Sequence, residues 1–278
     1  MADTRLEARV PAAPGLLAPL ASRVTAGLGP GTALLYLSLM VALPVAALVA
    51  ASATGGFWAA VSSPLARSAL MLTVTMAAAA TVIDVITGVA LAWVLIRDDF
   101  PGRRVVNALI DLPFALPTIV AGLVLLSLYG PGSPVRFDVA QTRTGVLLAL
   151  LFITLPFVVR AVQPVLLSLD RDVEEAAACL GAGPLTTFRR IIVPSILPAT
   201  LTGAGLAFAR SLGEFGSIVL ISGNLPFRTM VASVFISGQV ESGDNSGAAA
   251  VSVVLLVLAL VVLALVTMMT RRLGRHRG

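Results

Sequence analysis

The amino-acid sequence predicts an all-α membrane protein with six transmembrane helices. Of its 278 residues, 58% are hydrophobic and only 12% are charged, and the mean hydropathy is +0.99. An ordinary soluble domain carries about 25% charged residues. The apolar residues are gathered into long runs, and the arginines are concentrated in alternate connections between those runs. These observations leave little chain for a water-soluble core and favour one membrane domain.

The first 32 residues are predicted to form a flexible cytoplasmic tail, because three arginines lie there among four prolines that disfavour regular structure. The first apolar run follows at 34–53 and ends in Ala51, Ser52 and Ala53, which imitate a signal-peptidase site. A cleaved signal has an apolar region of about 7–15 residues. This run is long enough to cross a hydrocarbon core of roughly 30 Å as a helix. We therefore expect an uncleaved span.

Five further apolar runs are each long enough to form a transmembrane helix. They complete a predicted membrane domain at 33–270, which is followed by a basic cytoplasmic tail at 271–278. Several runs contain proline, which bends a helix unless neighbouring groups satisfy the freed carbonyl. Bent helices leave room for a solute pathway, although they also occur in membrane proteins that transport nothing. The runs lie at about 68–96, 105–129, 144–169, 196–221 and 247–270, and the prolines are Pro44, Pro113, Pro117, Pro156 and Pro164.

The arginine distribution predicts the orientation of the chain in a cell membrane. Connections on the cytoplasmic side carry an excess of basic residues. One set of connections, which includes both termini, holds 13 arginines, whereas the other set holds four. We therefore expect a multi-pass protein of the plasma membrane with both termini in the cytoplasm. The smaller set is Arg67, Arg136, Arg143 and Arg228.

Missing residue types exclude several classes of function. The chain has no lysine, and a Walker A loop needs its lysine on the terminal phosphates of ATP. Cys179 and His276 are the only residues of their types, so neither an internal disulfide nor a Cys/His metal site is expected. We expect no cofactor, no metal and no catalytic residue. Since membrane orientation accounts for the net charge of +5, nucleic-acid binding is not implied either.

A charged, turn-rich passage at 170–194 interrupts the apolar runs on the cytoplasmic side. Asp170 and Asp172 can cap a short helix whose first turn holds Glu174 and Glu175, and these carboxylates suit the positive end of the helix dipole. Gly181 then predicts a left-handed stop. A second short helix is expected to run from this turn to Pro194. The passage is predicted to be a helix, a tight turn and a second helix beside the membrane.

The passage at 170–194 resembles the EAA loop of ABC importer permeases. The resemblance rests on Glu-Ala-Ala at 175–177, a glycine after three intervening residues, and Ile-x-Val-Pro after nine more, with Val193 in place of the usual leucine. In that family the loop forms the coupling helices, which insert into a groove on the ATPase subunit. The resemblance thus implies a six-helix type I importer permease. The coupling residues would be Glu175, Ala176, Ala177, Gly181, Phe188, Ile191 and Pro194.

Four ionisable residues within the predicted spans are candidates for the pathway or its gate. Arg210 and Glu214 lie one helical turn apart and can pair. Charges at this depth cost about +2.5 to +3.5 kcal/mol on insertion scales and usually face the bundle interior or water. The pair either neutralises itself and locks two helices, or lines the pathway, where arginine would favour an anion. Arg160 and Asp111 are the other two candidates.

Three further stretches resemble the T-subunit permeases of bacterial sulfate/thiosulfate importers. They are LIDLPFALPTIVAGL at 109–123, ARSLGEFG at 209–216 and ISGNLPFRT at 221–229, and the similarity runs from about 34 to 270. The W-subunit and molybdate permeases also carry a GEFG stretch, so the combination is more diagnostic than that stretch alone. The resemblance implies a heterodimer with a W-subunit permease, a cytoplasmic ABC ATPase dimer and an extracytoplasmic sulfate-binding protein.

Two other functions stay open on the sequence. A molybdate or tungstate permease of the same machinery would more often be a homodimer. An ion-coupled secondary transporter would show inverted repeats with broken helices and a coupling-ion site at mid-membrane. No internal repeat is detectable, and that class leaves the charged passage at 170–194 unexplained.

Overall fold

The computed structural model describes residues 31–275, which are helical between their connecting turns and contain no strand. Contacts divide the chain into two compact units, 1–50 and 51–278. Most of the predicted N-terminal tail, and His276, lie outside the described residues. The helices are α1 (Gly31–Ala53), α2 (Phe57–Ser62), α3 (Pro64–Arg97), α4 (Arg103–Ile110), α5 (Leu112–Ala115), α6 (Thr118–Tyr129), α7 (Arg143–Ser168), α8 (Arg171–Cys179), α9 (Pro184–Leu212), α10 (Gly216–Ile221), α11 (Ala232–Glu241) and α12 (Asn245–Arg275).

Five of these helices, α1, α3, α7, α9 and α12, are long and apolar enough to cross a membrane. The third predicted span differs, because 105–129 is broken into parts of α4, α5 and α6. Pro117 is the cause of the second break: Leu116 before it is extended, with φ −87° and ψ 134°, as the residue before proline usually is. Within residues 31–275, five helices are therefore long enough to cross a membrane, and the third predicted span is a segment broken at its prolines.

Proline does not break every helix in which it lies. Pro156 and Pro164 both lie inside α7, which stays continuous over 26 residues. Pro44 follows a π-helical turn at Ser38–Ala42 within α1. A π turn is wider than an α turn and relieves the clash of a proline ring with the preceding carbonyl. Only the prolines of the α5 region therefore interrupt a span.

The fifth predicted span, 196–221, also has different limits. The helix α9 begins at Pro184, well before the predicted start, and ends at Leu212, so the GEFG stretch separates α9 from α10. The predicted tail at 271–278 likewise begins as helix, because α12 continues to Arg275.

The helix α7 lies at the centre of the second unit and packs against both α3 and α9, which also contact each other. Its first half contributes Val146 and Leu150 to one apolar cluster, and its second half contributes Val158 and Leu166 to another. Lipid tails are as apolar as these side chains, so moving the side chains from lipid into the bundle gains no hydrophobic free energy. Close van der Waals packing therefore holds these helices together. The bundle is accordingly built around a single central helix.

Small residues allow the backbones of α3 and α9 to approach α7 closely. A methyl group added at Gly88 would lie 3.0 Å from Val158 Cβ, and one added at Gly203 would lie 2.9 Å from Val158 Cα. Asp84 of α3 is buried beside the same crossing and accepts a hydrogen bond of 2.6 Å from Thr154 Oγ1 of α7. Close backbone contact and an interhelical hydrogen bond are the usual means of association between membrane helices.

Candidate functional site: the coupling loop and the polar clusters of the bundle

The charged passage folds as the local sequence signals predicted up to its turn. Asp170 caps α8 by accepting a hydrogen bond of 3.1 Å from the Asp172 N–H. Gly181 then adopts φ +83°, a left-handed conformation that favours glycine. The Gly181 and Ala182 N–H groups donate to carbonyl oxygens of α8, at Ala178 and Ala177. We call residues 170–194 the coupling loop, after the role that the resemblance to importer permeases implies for them.

The second half of the coupling loop differs from the prediction. We expected a short helix ending at Pro194, but the chain continues without interruption from Pro184 to Leu212. A π-helical turn at Phe188–Ile192 precedes Pro194 and accommodates its ring. The membrane helix α9 therefore includes the second limb of the loop, and a force applied to that limb acts directly on a long helix.

The outward face of the coupling loop is rich in exposed side chains. Leu180 is 89% exposed and Leu185 is 71% exposed, on either side of the turn. Glu175 and Ala176 are also exposed. Large apolar side chains that are exposed together and rimmed by charged residues are typical of surfaces that bind another protein.

The inward face of the coupling loop rests on the end of α3. Phe188 packs against Trp93 in a T-shaped pair with ring centroids 5.7 Å apart. The Arg97 guanidinium lies 5.5 Å from the centroid of the Trp93 ring and forms an ion pair with Glu174. From the sequence, Arg97 contributes only to the arginine bias that predicts orientation, and Trp93 has no predicted role. Their spacing of four residues at the end of α3 was the one local signal that could have found them.

The bundle contains two ion pairs, Arg210–Glu214 and Arg160–Asp111, and Glu214 of the first pair is almost fully buried. Glu214 Oε2 lies 2.7 Å from Arg210 Nη1, as the predicted pairing requires, although α9 ends between the two residues. The Glu214 side chain is 1% exposed, and its other oxygen accepts hydrogen bonds of 2.9 Å from the Ser217 N–H and from the Ser217 hydroxyl. Glu214 therefore joins the end of α9 to the start of α10.

Arg160 of α7 is fixed by the broken segment. Its Nε donates to Asp111 Oδ1 at 2.7 Å, and Nη2 donates both to the second Asp111 oxygen and to the Asn107 carbonyl. Its Nη1 donates to the Asn107 and Gln163 side chains. These bonds use all five guanidinium donors. The cluster borders a cavity of about 920 Å³ that Arg103 and Arg104 also line. To bind the Arg160 guanidinium, an anion in this cavity would have to displace one of its present hydrogen-bond partners.

The GEFG stretch at 213–216 and the stretch at 109–123 contact each other directly. A methyl group at Gly216 of the GEFG stretch would lie 2.2 Å from Thr118 Oγ1, and one at Gly122 of α6 would lie 2.6 Å from the Ser217 carbonyl oxygen. The helices α6 and α10 therefore pack backbone to backbone at two glycines, which accounts for small residues at both positions.

We expect Gly216→Ala to destabilise the folded chain by about 1–3 kcal/mol, the usual result of overpacking. Gly213→Ala is the matched control, because no atom lies within 4 Å of a methyl group there. Thermal unfolding of the two detergent-solubilised variants measures the difference. Equal transition temperatures would show that α6 and α10 do not pack this closely.

Comparisons with known proteins agree with this architecture. Residues 84–275 match the family described as binding-protein-dependent transport system inner membrane component. The sulfate transport system permease protein CysT of Synechococcus elongatus is 44% identical over 253 residues, which cover 87% of this chain and 91% of the relative. The probable sulfate transport system permease protein of Nephroselmis olivacea is 43% identical over 83% of this chain and 84% of the relative.

A chain of a bacterial alginate ABC transporter, crystallised with an alginate-bound periplasmic protein, has the same fold. It superposes with a TM-score of 0.76 over 92% of this chain and 97% of that chain, at 17% identity. A chain of the methionine transporter MetNI in an inward-facing conformation gives a TM-score of 0.54 at 18% identity. Because the family match and the relatives cover most of its length, this chain belongs to the binding-protein-dependent transport system inner membrane components, and within them to the CysT permeases.

Proposed function

We propose that this chain is the membrane-spanning permease subunit of an ATP-driven importer that carries sulfate and thiosulfate into the cytoplasm. The observation that carries the proposal is the identity of 42–44% with CysT sulfate permeases over 83–87% of the chain. The same subunit would be non-catalytic and would depend on a separate ATPase, since the chain lacks the lysine of a Walker A loop.

The coupling loop is the proposed contact with a cytoplasmic ATPase dimer. Its outward face carries Leu180, Leu185 and Glu175 in exposed positions, and its second limb is part of α9. A short capped helix transmits a displacement that a loose loop would absorb. We propose that both termini lie in the cytoplasm, and the arginine bias of the connections supports this orientation.

The remaining partners follow from the importer class. They are a second permease of the W type, which completes a heterodimer, and an extracytoplasmic sulfate-binding protein that delivers the anion. In this scheme the binding protein selects the anion, and the permease pair only conducts it. The hydrogen bonding of Arg160 supports this division, since all five of its donors are already used by partners within the protein.

The proposal is tested by reconstituting the complete transporter in proteoliposomes with ATP inside. We expect uptake of labelled sulfate that thiosulfate suppresses and molybdate does not. The purified complex should contain two different permeases and an ATPase. Competition by molybdate together with a single permease species would instead indicate a molybdate importer, and uptake without ATP would indicate an ion-coupled transporter.

A further inference from the structure

The end of α3 holds both limbs of the coupling loop. Glu174 belongs to the first limb, α8, and forms the ion pair with Arg97. Phe188 belongs to the second limb, α9, and packs edge-on against Trp93. Arg97 also lies over the Trp93 ring, and Arg171 donates a hydrogen bond of 3.5 Å to the Arg97 carbonyl oxygen. One turn of α3 therefore contacts the loop on both sides of its Gly181 turn.

The contacts of Arg97 differ from those of an ordinary surface ion pair. The Arg97 side chain is only 9% exposed, whereas in the neighbouring Arg103–Asp99 pair the carboxylate is 96% exposed. Within the described residues, Arg97 Nε is buried with no hydrogen-bond partner. A charge taken out of water depends on its remaining partners, so loss of Glu174 would leave the guanidinium uncompensated. The buried pair is thus strongly coupled, and the exposed pair is screened by solvent.

The helix α3 is also suited to carry a displacement into the membrane. It has 34 residues, which at about 1.5 Å per residue makes it longer than the hydrocarbon core of roughly 30 Å. Its central part packs along α7 through Gly88 and Val158. Movement of its end is therefore transmitted to the helix at the centre of the bundle.

We propose that Arg97 is a positioning residue that fixes the coupling loop to α3, so that a displacement of the loop moves α3 with it. This inference rests on the proposed function, because it assumes that an ATPase displaces the loop. Arg97 touches neither the solute nor the ATP. It acts through Glu174 and Trp93, and its loss separates ATP hydrolysis from transport.

The experiment compares charge variants in the reconstituted transporter. Arg97→Glu and Glu174→Arg are tested singly and together, with Arg97→Gln as a variant that does not place an acid at the membrane edge. Asp99→Arg is the matched control, because it breaks the exposed pair in the same connection. The main readout is the amount of sulfate imported per ATP hydrolysed. A second readout is the fluorescence anisotropy of a dye on Cys179, the only cysteine, which is exposed on α8.

We expect each single variant at positions 97 and 174 to lower the imported amount per ATP about tenfold. The double charge swap should restore most of the loss, and the Asp99 variant should resemble the wild type. The dye should rotate more freely in the single variants. Unchanged import per ATP in the singles, or a double variant no better than them with unchanged anisotropy, would overturn the inference.

The two proposals fail separately in this design. A wild-type complex that imports no sulfate counts against the proposed function alone. The anisotropy of the dye on Cys179 needs no solute, so it still decides whether Arg97 holds the loop. Equal anisotropy in the wild type and in Arg97→Gln would overturn the positioning role even then.

Discussion

Replacing Gly181 with valine is expected to lower sulfate uptake by more than tenfold while the permease stays inserted in the membrane. Gly181 has φ +83°, and a β-branched residue in this region is a strained outlier. Such strain amounts to about 1–3 kcal/mol, and each 1.4 kcal/mol changes a population about tenfold. The strain is relieved by opening the turn, which separates α8 from the start of α9. Uptake of labelled sulfate and the rate of ATP hydrolysis, measured on the same vesicles, show whether the two have become uncoupled.

The neighbouring glycine provides the control for this result. Gly183 has φ −72° and open space around a built methyl group, so Gly183→Ala should import sulfate normally. Glu175→Arg reverses an exposed charge without altering the turn, and we expect it to uncouple hydrolysis from uptake through the docking face instead. Normal uptake in both Gly181→Val and Glu175→Arg would contradict the coupling role of this loop.

The features of the coupling loop that could be predicted from the sequence are those with local causes. Asp170 caps the helix that directly follows it, and Gly181 ends that helix, because capping and left-handed turns depend on neighbours within a few residues. The same local reasoning placed the end of the second limb at Pro194, where it was wrong. A π-helical turn keeps α9 continuous through Pro194, and the sequence contains no signal that predicts such a turn.

The contacts between distant segments could not be predicted in the same way. Glu174 lies 77 residues from Arg97, and no periodic pattern links an arginine at the end of one span to a carboxylate beyond another. The effect of a proline could not be predicted from the sequence either, since the helix is broken before Pro117 but continuous at Pro156. Whether a proline breaks a helix depends on the groups packed around it, which only the folded structure supplies.

Within the membrane, the sequence left two roles open for Arg210 and Glu214, and their surroundings now favour the structural one. The Glu214 carboxylate is almost fully buried and accepts from three donors, namely one Arg210 nitrogen and both polar groups of Ser217. The backbone carbonyl oxygen of Glu214 accepts a further hydrogen bond of 2.6 Å from Ser233 Oγ of α11. Glu214 therefore ties together α9, α10 and α11 around the GEFG turn.

Glu214→Gln is accordingly expected to destabilise the folded permease by about 3 kcal/mol, the lower end of the range for breaking a buried ion pair. Glutamine offers one carbonyl oxygen to donors on both sides, so its NH₂ group must face either Arg210 or Ser217 as a second donor. The lower end applies because the Arg210 side chain is 33% exposed, and water can solvate it in part. Thermal or denaturant unfolding of the purified chain measures the loss.

Two further variants decide between the roles of this pair. Glu241→Gln, at an exposed carboxylate with one hydrogen bond from Ser237, should change the stability by less than about 0.5 kcal/mol. The double variant Arg210→Met, Glu214→Gln should lose less than the sum of its single variants, because removing Arg210 also removes the charge that Glu214→Gln leaves unpaired. If Glu214→Gln instead unfolds like the wild type but imports sulfate poorly, the carboxylate acts on the solute pathway. The burial of Glu214 and the direct hydrogen bonds to Ser217 make the loss of stability the expected result.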